Sequence, residues 1–257
     1  MRPILFHIGY SSIYSYYVFI TLGIFLGLFF FNHYCKKSGF NKLAFIDISL
    51  ISIATAYVGA RLFHVLFVIP GYYIEHPIKV FYFWEGGFVI YGAILIPPLF
   101  VYFYAKKKKF KLSKITDALA PAFSIGTALG RIACLMQGCC YGKPTSSFLG
   151  ISFPEGANAG MTPINTPLHP TQVYLVLQGL IIFLILNYRF SRKKFDGEIT
   201  LWFFILYPVT RILIEYYRSD FRGNLFEPYL STSQFISLIV AVVATYILSK
   251  KYVKHNN

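Results

Sequence analysis

Apolar residues along this chain gather into seven blocks separated by short polar stretches, at about 14–32, 44–69, 87–105, 115–136, 170–190, 199–217 and 232–249. A helix needs roughly 20 apolar residues to cross a hydrocarbon core of about 30 Å. The pattern therefore predicts an all-α, polytopic membrane protein with about seven transmembrane helices, forming a single integral membrane domain over residues 1–257. The stretch Met1 to Tyr17 lacks a basic start followed by a small-residue cleavage site, so the first block reads as a retained span rather than a signal peptide. The fourth block is the most polar, with Thr116, Asp117, Ser124, Thr127 and Arg131. It is expected to be enclosed by other helices. Its small residues, among them Ala118, Ala122, Gly126 and Gly130, permit close helix approach.

Charge orients the blocks. Lys36, Lys37 and Lys42 follow the first block, and Lys106 to Lys109, Lys111 and Lys114 follow the third. Arg189, Arg192, Lys193 and Lys194 follow the fifth, and Lys250, Lys251 and Lys254 the seventh. Those connections hold sixteen of the 24 Lys and Arg, whereas the opposite side holds five: Arg2, Lys79, Lys143, Arg218 and Arg222. The positive-inside rule then puts the N-terminus outside and the C-terminus in the cytoplasm. The connection from about Gln137 to His169, rich in Gly, Pro, Ser and Thr, becomes an irregular extracytoplasmic loop. Composition agrees, with 56% hydrophobic and only 13% charged residues, against about a quarter charged in soluble domains. The net charge of +14 is explained by the alternating blocks, so nucleic acid is not an expected partner.

With this orientation, the unusual polar residues project to the outer ends of the spans. Arg61, Arg131 and the pair Arg211 and Glu215 lie within or at the end of spans, where each charge costs on the order of 3 kcal/mol. Arg211 and Glu215 are one turn apart and suit mutual pairing. Arg61 and Arg131 have no visible partner nearby in sequence, and guanidinium suits the phosphate of a phospholipid. His64 is three residues from Arg61 and reads either as a structural residue or as a neighbour on the same face. Tyr91, behind Gly86 and Gly87, reads either as an interfacial aromatic or as part of a close backbone approach. Cys134, Cys139 and Cys140 lack a CxxC pair, so no metal is expected. A disulfide there would involve Cys134, since the adjacent pair closes only under strain, and plain packing is the other reading.

Four ordered motifs carry a resemblance. Gly130 to Gly142 reads GRIACLMQGCCYG. It resembles the G-R-x-G-N-F-x-N-x-E-x-x-G signature of the prolipoprotein diacylglyceryl transferases. WEGGFVIYGAIL from Trp84, HPTQVY from His169 and RILIEYYRSD from Arg211 are similar to that family's W-x-G-G-x-x-x-H-G-G-L-I, H-P-S-Q-L-Y and R-x-x-x-E-F-F-R-x-x-D segments. With GARLFHVLF around Arg61, the resemblance spans essentially the whole chain. It implies transfer of a diacylglyceryl group from phosphatidylglycerol to the lipobox cysteine thiol of a prolipoprotein, releasing glycerol 1-phosphate, in the bacterial cytoplasmic (inner) membrane. The implied partners are phosphatidylglycerol, the prolipoprotein signal peptide and membrane lipids, with no cofactor and no metal. Carried across by motif, Arg131 and Arg218 hold the phosphate, and Tyr16, Arg61, Gly86, Gly87, His169, Gln172, Glu215 and Tyr217 shape the site.

The chain departs from the family pattern at its proton-handling positions. The family's His after the paired glycines is Tyr91, the signature's two Asn are Cys134 and Gln137, and its Glu is Cys139. The Glu usual after the H-P-S-Q-L-Y segment is Leu175. A tyrosinate is basic enough to take a thiol proton but scarce at neutral pH, so Tyr91 is the candidate base. Two other readings stay open: a paralogous membrane enzyme acting on another lipid or acceptor, and a non-catalytic phospholipid-binding protein.

Overall fold

A computed structural model describes residues 3–8, 11–155, 157, 162–219 and 231–256. Arg2, Asp220 and Arg222 lie outside the described residues. A hairpin of β1 (Ile4–Ile8) and β2 (Ser11–Tyr14) leads into α1 (Ser15–Lys37), α2 (Lys42–Phe67), the short α3 (Pro70–Glu75), α4 (Ile90–Lys107), α5 (Leu112–Gln137), α6 (Thr171–Phe190), α7 (Glu198–Glu215) and α8 (Thr232–Asn256). Two 3-10 turns, Pro77–Phe81 and Phe83–Glu85, connect α3 to α4. Each apolar block of the sequence contains one long helix. Five of them, α1, α2, α5, α6 and α8, are long and apolar enough to cross a membrane. The other two are shorter, at 18 residues each, and carry interruptions. α7 carries Glu198, Arg211 and Glu215, and α4 contains Pro97 and Pro98 and ends on Lys106 and Lys107. The hairpin and the turns around α3 were not expected, because elements of three to six residues leave too short a period to read.

The chain divides into two compact units, Asn32–Ile115 and the combination of Met1–Phe31 with Thr116–Asn257. In the second of these, small residues let helices touch along their backbones. A Cβ added to Gly23 of α1 would lie 2.9 Å from the Gly126 carbonyl oxygen of α5. One added to Gly179 of α6 would lie 2.9 Å from both the Ser124 carbonyl and the Ala128 Cβ of α5. The apolar window of α5 is accordingly 39% buried, against 17–33% for the other four candidate spans, so the polar helix is the enclosed one.

The polar start of α5 also has a use. Asp117, fully buried, accepts hydrogen bonds from the Gly197 and Thr200 backbone N–H groups at 2.9 and 3.0 Å and from the Thr200 hydroxyl at 2.9 Å. It also pairs with Lys193 at 2.9 Å. A carboxylate here satisfies donors that the first turn of α7 leaves open and complements its dipole. Beside it, the buried Glu198 accepts from the Tyr252 hydroxyl and the Lys194 N–H, both at 2.6 Å, and from Arg189 at 3.3 Å. The ends of α6, α7 and α8 are thereby tied together.

In the Asn32–Ile115 unit, Asn41 caps α2 by accepting from the Ala44 N–H at 2.8 Å. Gly59 of α2 and Gly92 of α4 lie backbone against backbone, closer than any side chain allows. Tyr104 donates to Asp47 at 2.6 Å, fixing the other ends of the same two helices.

Candidate active site

The site in the larger unit begins where α5 stops. Gly138 takes the left-handed conformation at φ +80°. The Gly138 N–H then bonds to the Leu135 carbonyl at 3.2 Å and the Cys139 N–H to the Cys134 carbonyl at 3.1 Å. This is the Schellman pairing, which folds the residue two beyond the helix back over the one three before its end. Here those residues are Cys139 and Cys134. Cys140 follows at φ +60°, a region a non-glycine residue enters only when held there. What holds it is the start of α6. Thr171 donates to the Cys140 carbonyl at 2.7 Å and Gln172 to the Cys139 carbonyl at 2.8 Å, both from fully buried side chains.

Three segments then cross at Gly142. Its N–H donates to the His169 carbonyl at 2.9 Å, and Lys143 N–H donates to the Tyr217 carbonyl at 2.8 Å. Gly142 and Arg218 form an antiparallel bridge. A Cβ on Gly142 would strike the Tyr217 carbonyl and come within 2.7 Å of the His169 Cβ. The crossing therefore requires glycine and fixes Arg218, 4% exposed, beside the cysteine turn. The His169 ring lies 4.9 Å from that of Tyr217, and its Nδ1 is 3.1 Å from the Tyr174 hydroxyl. Arg211 and Glu215 form the ion pair that their spacing suggested, at 2.6 Å. The loop from Gln137 to His169 is irregular as expected, but it carries a small core of Phe153, Ala157 and Leu168.

The sulfur atoms of Cys134, Cys139 and Cys140 all lie within 4.8 Å of one another. All four cysteines of the chain are free, so the disulfide reading is not the one adopted. Hydrogen bonds from the Cys134 and Cys139 thiols, then the Arg218 and Arg131 charges, hold the Cys140 thiol below its ordinary range against the opposing effect of burial. The Cys139 thiol is raised by its hydrogen bonds to Cys134 and Cys140 and by burial. A cavity of about 350 Å³ opens on this cluster, lined by Tyr14, Tyr16, Tyr17, Gln137 and Cys139.

In the Asn32–Ile115 unit, Arg61 is 3% exposed and serves the loop before α4. Its guanidinium donates to the carbonyls of Gly86, of Lys79 at 2.7 Å and of Val80 at 3.2 Å. It also lies over the Tyr73 ring at 5.4 Å. A Cβ at Gly87 (φ +73°) would lie 2.7 Å from His64 and 2.9 Å from Arg61, which gives the paired glycines their close approach. His64 meets the Tyr73 hydroxyl at 3.3 Å, a structural contact. Tyr91 and Trp84 are exposed.

Of the residues expected from sequence, the larger unit thus gathers Arg218, His169, Gln172 and Tyr217 around the end of α5, with Arg131 one turn before Cys134. Tyr16 reaches the same place through the cavity, whereas Glu215 is paired with Arg211 along α7. The smaller unit gathers Arg61, Gly86 and Gly87. Thr171 and Tyr174 were missed. Each sits two or three residues from His169 or Gln172 inside the same motif, and that adjacency was the available signal.

Residues 3–250 match the family described as "Prolipoprotein diacylglyceryl transferase". The chain is 34% identical over 250 residues to the phosphatidylglycerol–prolipoprotein diacylglyceryl transferase of Clostridium tetani (strain Massachusetts / E88), covering 97% of each protein. It is 31% identical over 244 residues to phosphatidylglycerol–prolipoprotein diacylglyceryl transferase 2 of Clostridium perfringens (strain 13 / Type A), covering 94% of this chain and 92% of that one. A Clostridium botulinum (strain 657 / Type Ba4) protein of the same description is 30% identical over 248 residues, covering 96% of this chain and 98% of its own length. The chain belongs to the prolipoprotein diacylglyceryl transferase family.

Proposed function

We propose that this protein is a phosphatidylglycerol–prolipoprotein diacylglyceryl transferase of the bacterial cytoplasmic membrane. It crosses the membrane seven times, with the N-terminus and the active site on the extracytoplasmic side and the C-terminus in the cytoplasm. The phospholipid is phosphatidylglycerol, and the acceptor is the lipobox cysteine thiol presented by a prolipoprotein signal peptide. The family match along nearly the whole chain supports the reaction. The observation that carries the site is the crossing at Gly142, which sets the buried Arg218 beside the turn that follows Arg131.

The reaction substitutes sulfur for oxygen at the glyceryl carbon that bears the phosphate. The acceptor thiol gives up its proton, its sulfur forms the new C–S bond, and the C–O bond to phosphate breaks. Glycerol 1-phosphate leaves with the electron pair. Arg131 and Arg218 supply positive charge where that negative charge develops, and fixed charges of this kind are effective because they need no rearrangement. His169, Gln172 and Tyr217 shape the phosphate end, Tyr16 faces the cavity, and Glu215 holds Arg211. Arg61 acts through the loop carrying Gly86 and Gly87. Tyr91 stands where the family has a histidine and is assigned the acceptor proton.

Expression in bacteria depleted of their own diacylglyceryl transferase tests this reading. Mass spectrometry should find prolipoprotein heavier by one diacylglyceryl group. Unmodified prolipoprotein in cells that hold the folded protein in the membrane would reject it.

A further inference from the structure

We propose that Cys134, Cys139 and Cys140 form a binding site for one thiophilic d10 cation, Zn²⁺ or Cu⁺, at the end of α5. This goes beyond the transfer reaction and does not depend on it. Three thiolates around one ion at a metal–sulfur distance of about 2.3 Å lie roughly 3.8 Å apart. The three sulfurs already lie within 4.8 Å of one another, so small side-chain rotations complete the set. The lack of a CxxC pair is no obstacle. The Schellman turn at Gly138 does the work of the shorter spacing by returning Cys139 to Cys134, and the left-handed Cys140 adds the third sulfur.

Three further features suit an ion. The backbone of the turn is fastened from outside, by Thr171 on the Cys140 carbonyl and Gln172 on the Cys139 carbonyl. Ligands held by such supporting contacts keep their geometry when the ion arrives. The charges of Arg218 and Arg131 reach Cys140. They offset the net negative charge of a tris-thiolate complex, minus one with Zn²⁺ and minus two with Cu⁺. The cavity lined by Tyr16, Gln137 and Cys139 gives the ion a path in and leaves a coordination position for water or an incoming thiol. Binding is balanced by proton release: three thiols lose three protons as the ion enters.

The test uses the reduced, full-length protein in detergent, loaded with Zn²⁺ in one arm and Cu⁺ in another, then freed of excess ion. Elemental analysis should find about one ion per chain in at least one arm, in both the unaltered protein and a Cys35→Ala control. That ion should be absent from Cys134→Ser, Cys139→Ser and Cys140→Ser. Should those variants fail to fold, alkylation of the unaltered protein decides. Peptides carrying the three cysteines should be protected by the ion, and Co²⁺ substitution should produce thiolate-to-metal charge-transfer absorbance. Retention of neither ion, or equal retention in the serine variants, would overturn the proposal. No readout involves lipid transfer, so its failure is separate from failure of the proposed reaction.

Discussion

Gln172, at the first turn of α6, donates from Nε2 to the carbonyl of Cys139 at 2.8 Å. The bond joins two sequence motifs 33 positions apart and is made by a fully buried amide. Its loss removes a partner from the part-buried Cys139 carbonyl, which costs on the order of 1 kcal/mol. Gln172→Leu should lower transfer activity at least about ten-fold, through the misplaced turn. Gln172→Glu, which can no longer donate when ionised, should behave similarly. Steady-state kinetics on a lipobox peptide in detergent with phosphatidylglycerol would check both.

Arg131→Ala and Arg218→Ala should each reduce kcat by about 10²–10³-fold, the range seen when one fixed donor to a developing charge is removed. Lysine at either position should recover part of the rate, because it restores the charge but not the bidentate fork. Wild-type kcat in both alanine variants would remove these residues from the phosphate site.

Tyr91→Phe isolates the phenol while keeping the ring. If the phenol takes the acceptor proton, kcat should fall about 10²-fold or more while KM changes little. Preserved kcat would assign the proton elsewhere.

How much of this was legible in the sequence varies with the length scale of the signal. The seven apolar blocks each contain a long helix, and five of those helices are long and apolar enough to cross a membrane, where a helix satisfies its own backbone. The enclosed character of α5 was legible from Ser124, Gly126 and Thr127, and the Arg211–Glu215 pair from its spacing. The convergence of the cysteines was not. It depends on Gly138 adopting a left-handed turn and on Thr171 and Gln172 fastening it from more than 30 positions away. The commitment of Arg61 to loop carbonyls was hidden for the same reason, since backbone acceptors leave no mark on residue identity.

Asp117→Ala should destabilise the fold by about 3–5 kcal/mol, because it leaves Lys193 without its closest carboxylate and the first turn of α7 without its acceptor. Lys193→Met should cost less, since Asp117 keeps the two N–H donors and the Thr200 hydroxyl. Thermal unfolding in detergent, followed for both single variants and the double variant, would separate the ion pair from the cap.

Glu198 makes the fold sensitive to acid. Burial pushes its carboxyl up, but hydrogen bonds from Tyr252, the Lys194 N–H and Arg189 outweigh burial and hold it below the ordinary carboxylate value. The folded state therefore prefers the ionised form more than the unfolded chain does, whose glutamate titrates near about 4.3. The stabilisation is fully present above that pH and is lost as pH falls through the lower, folded value. Unfolding temperature should change little through this group between about pH 8 and 5, then drop below about pH 4. Glu198→Gln should be less stable at neutral pH, since its amide cannot accept from Tyr252, Lys194 and Arg189 as a carboxylate does. It should also show a shallower fall in acid. An equal acid slope in Glu198→Gln and the unaltered protein would mean that other carboxylates govern the transition.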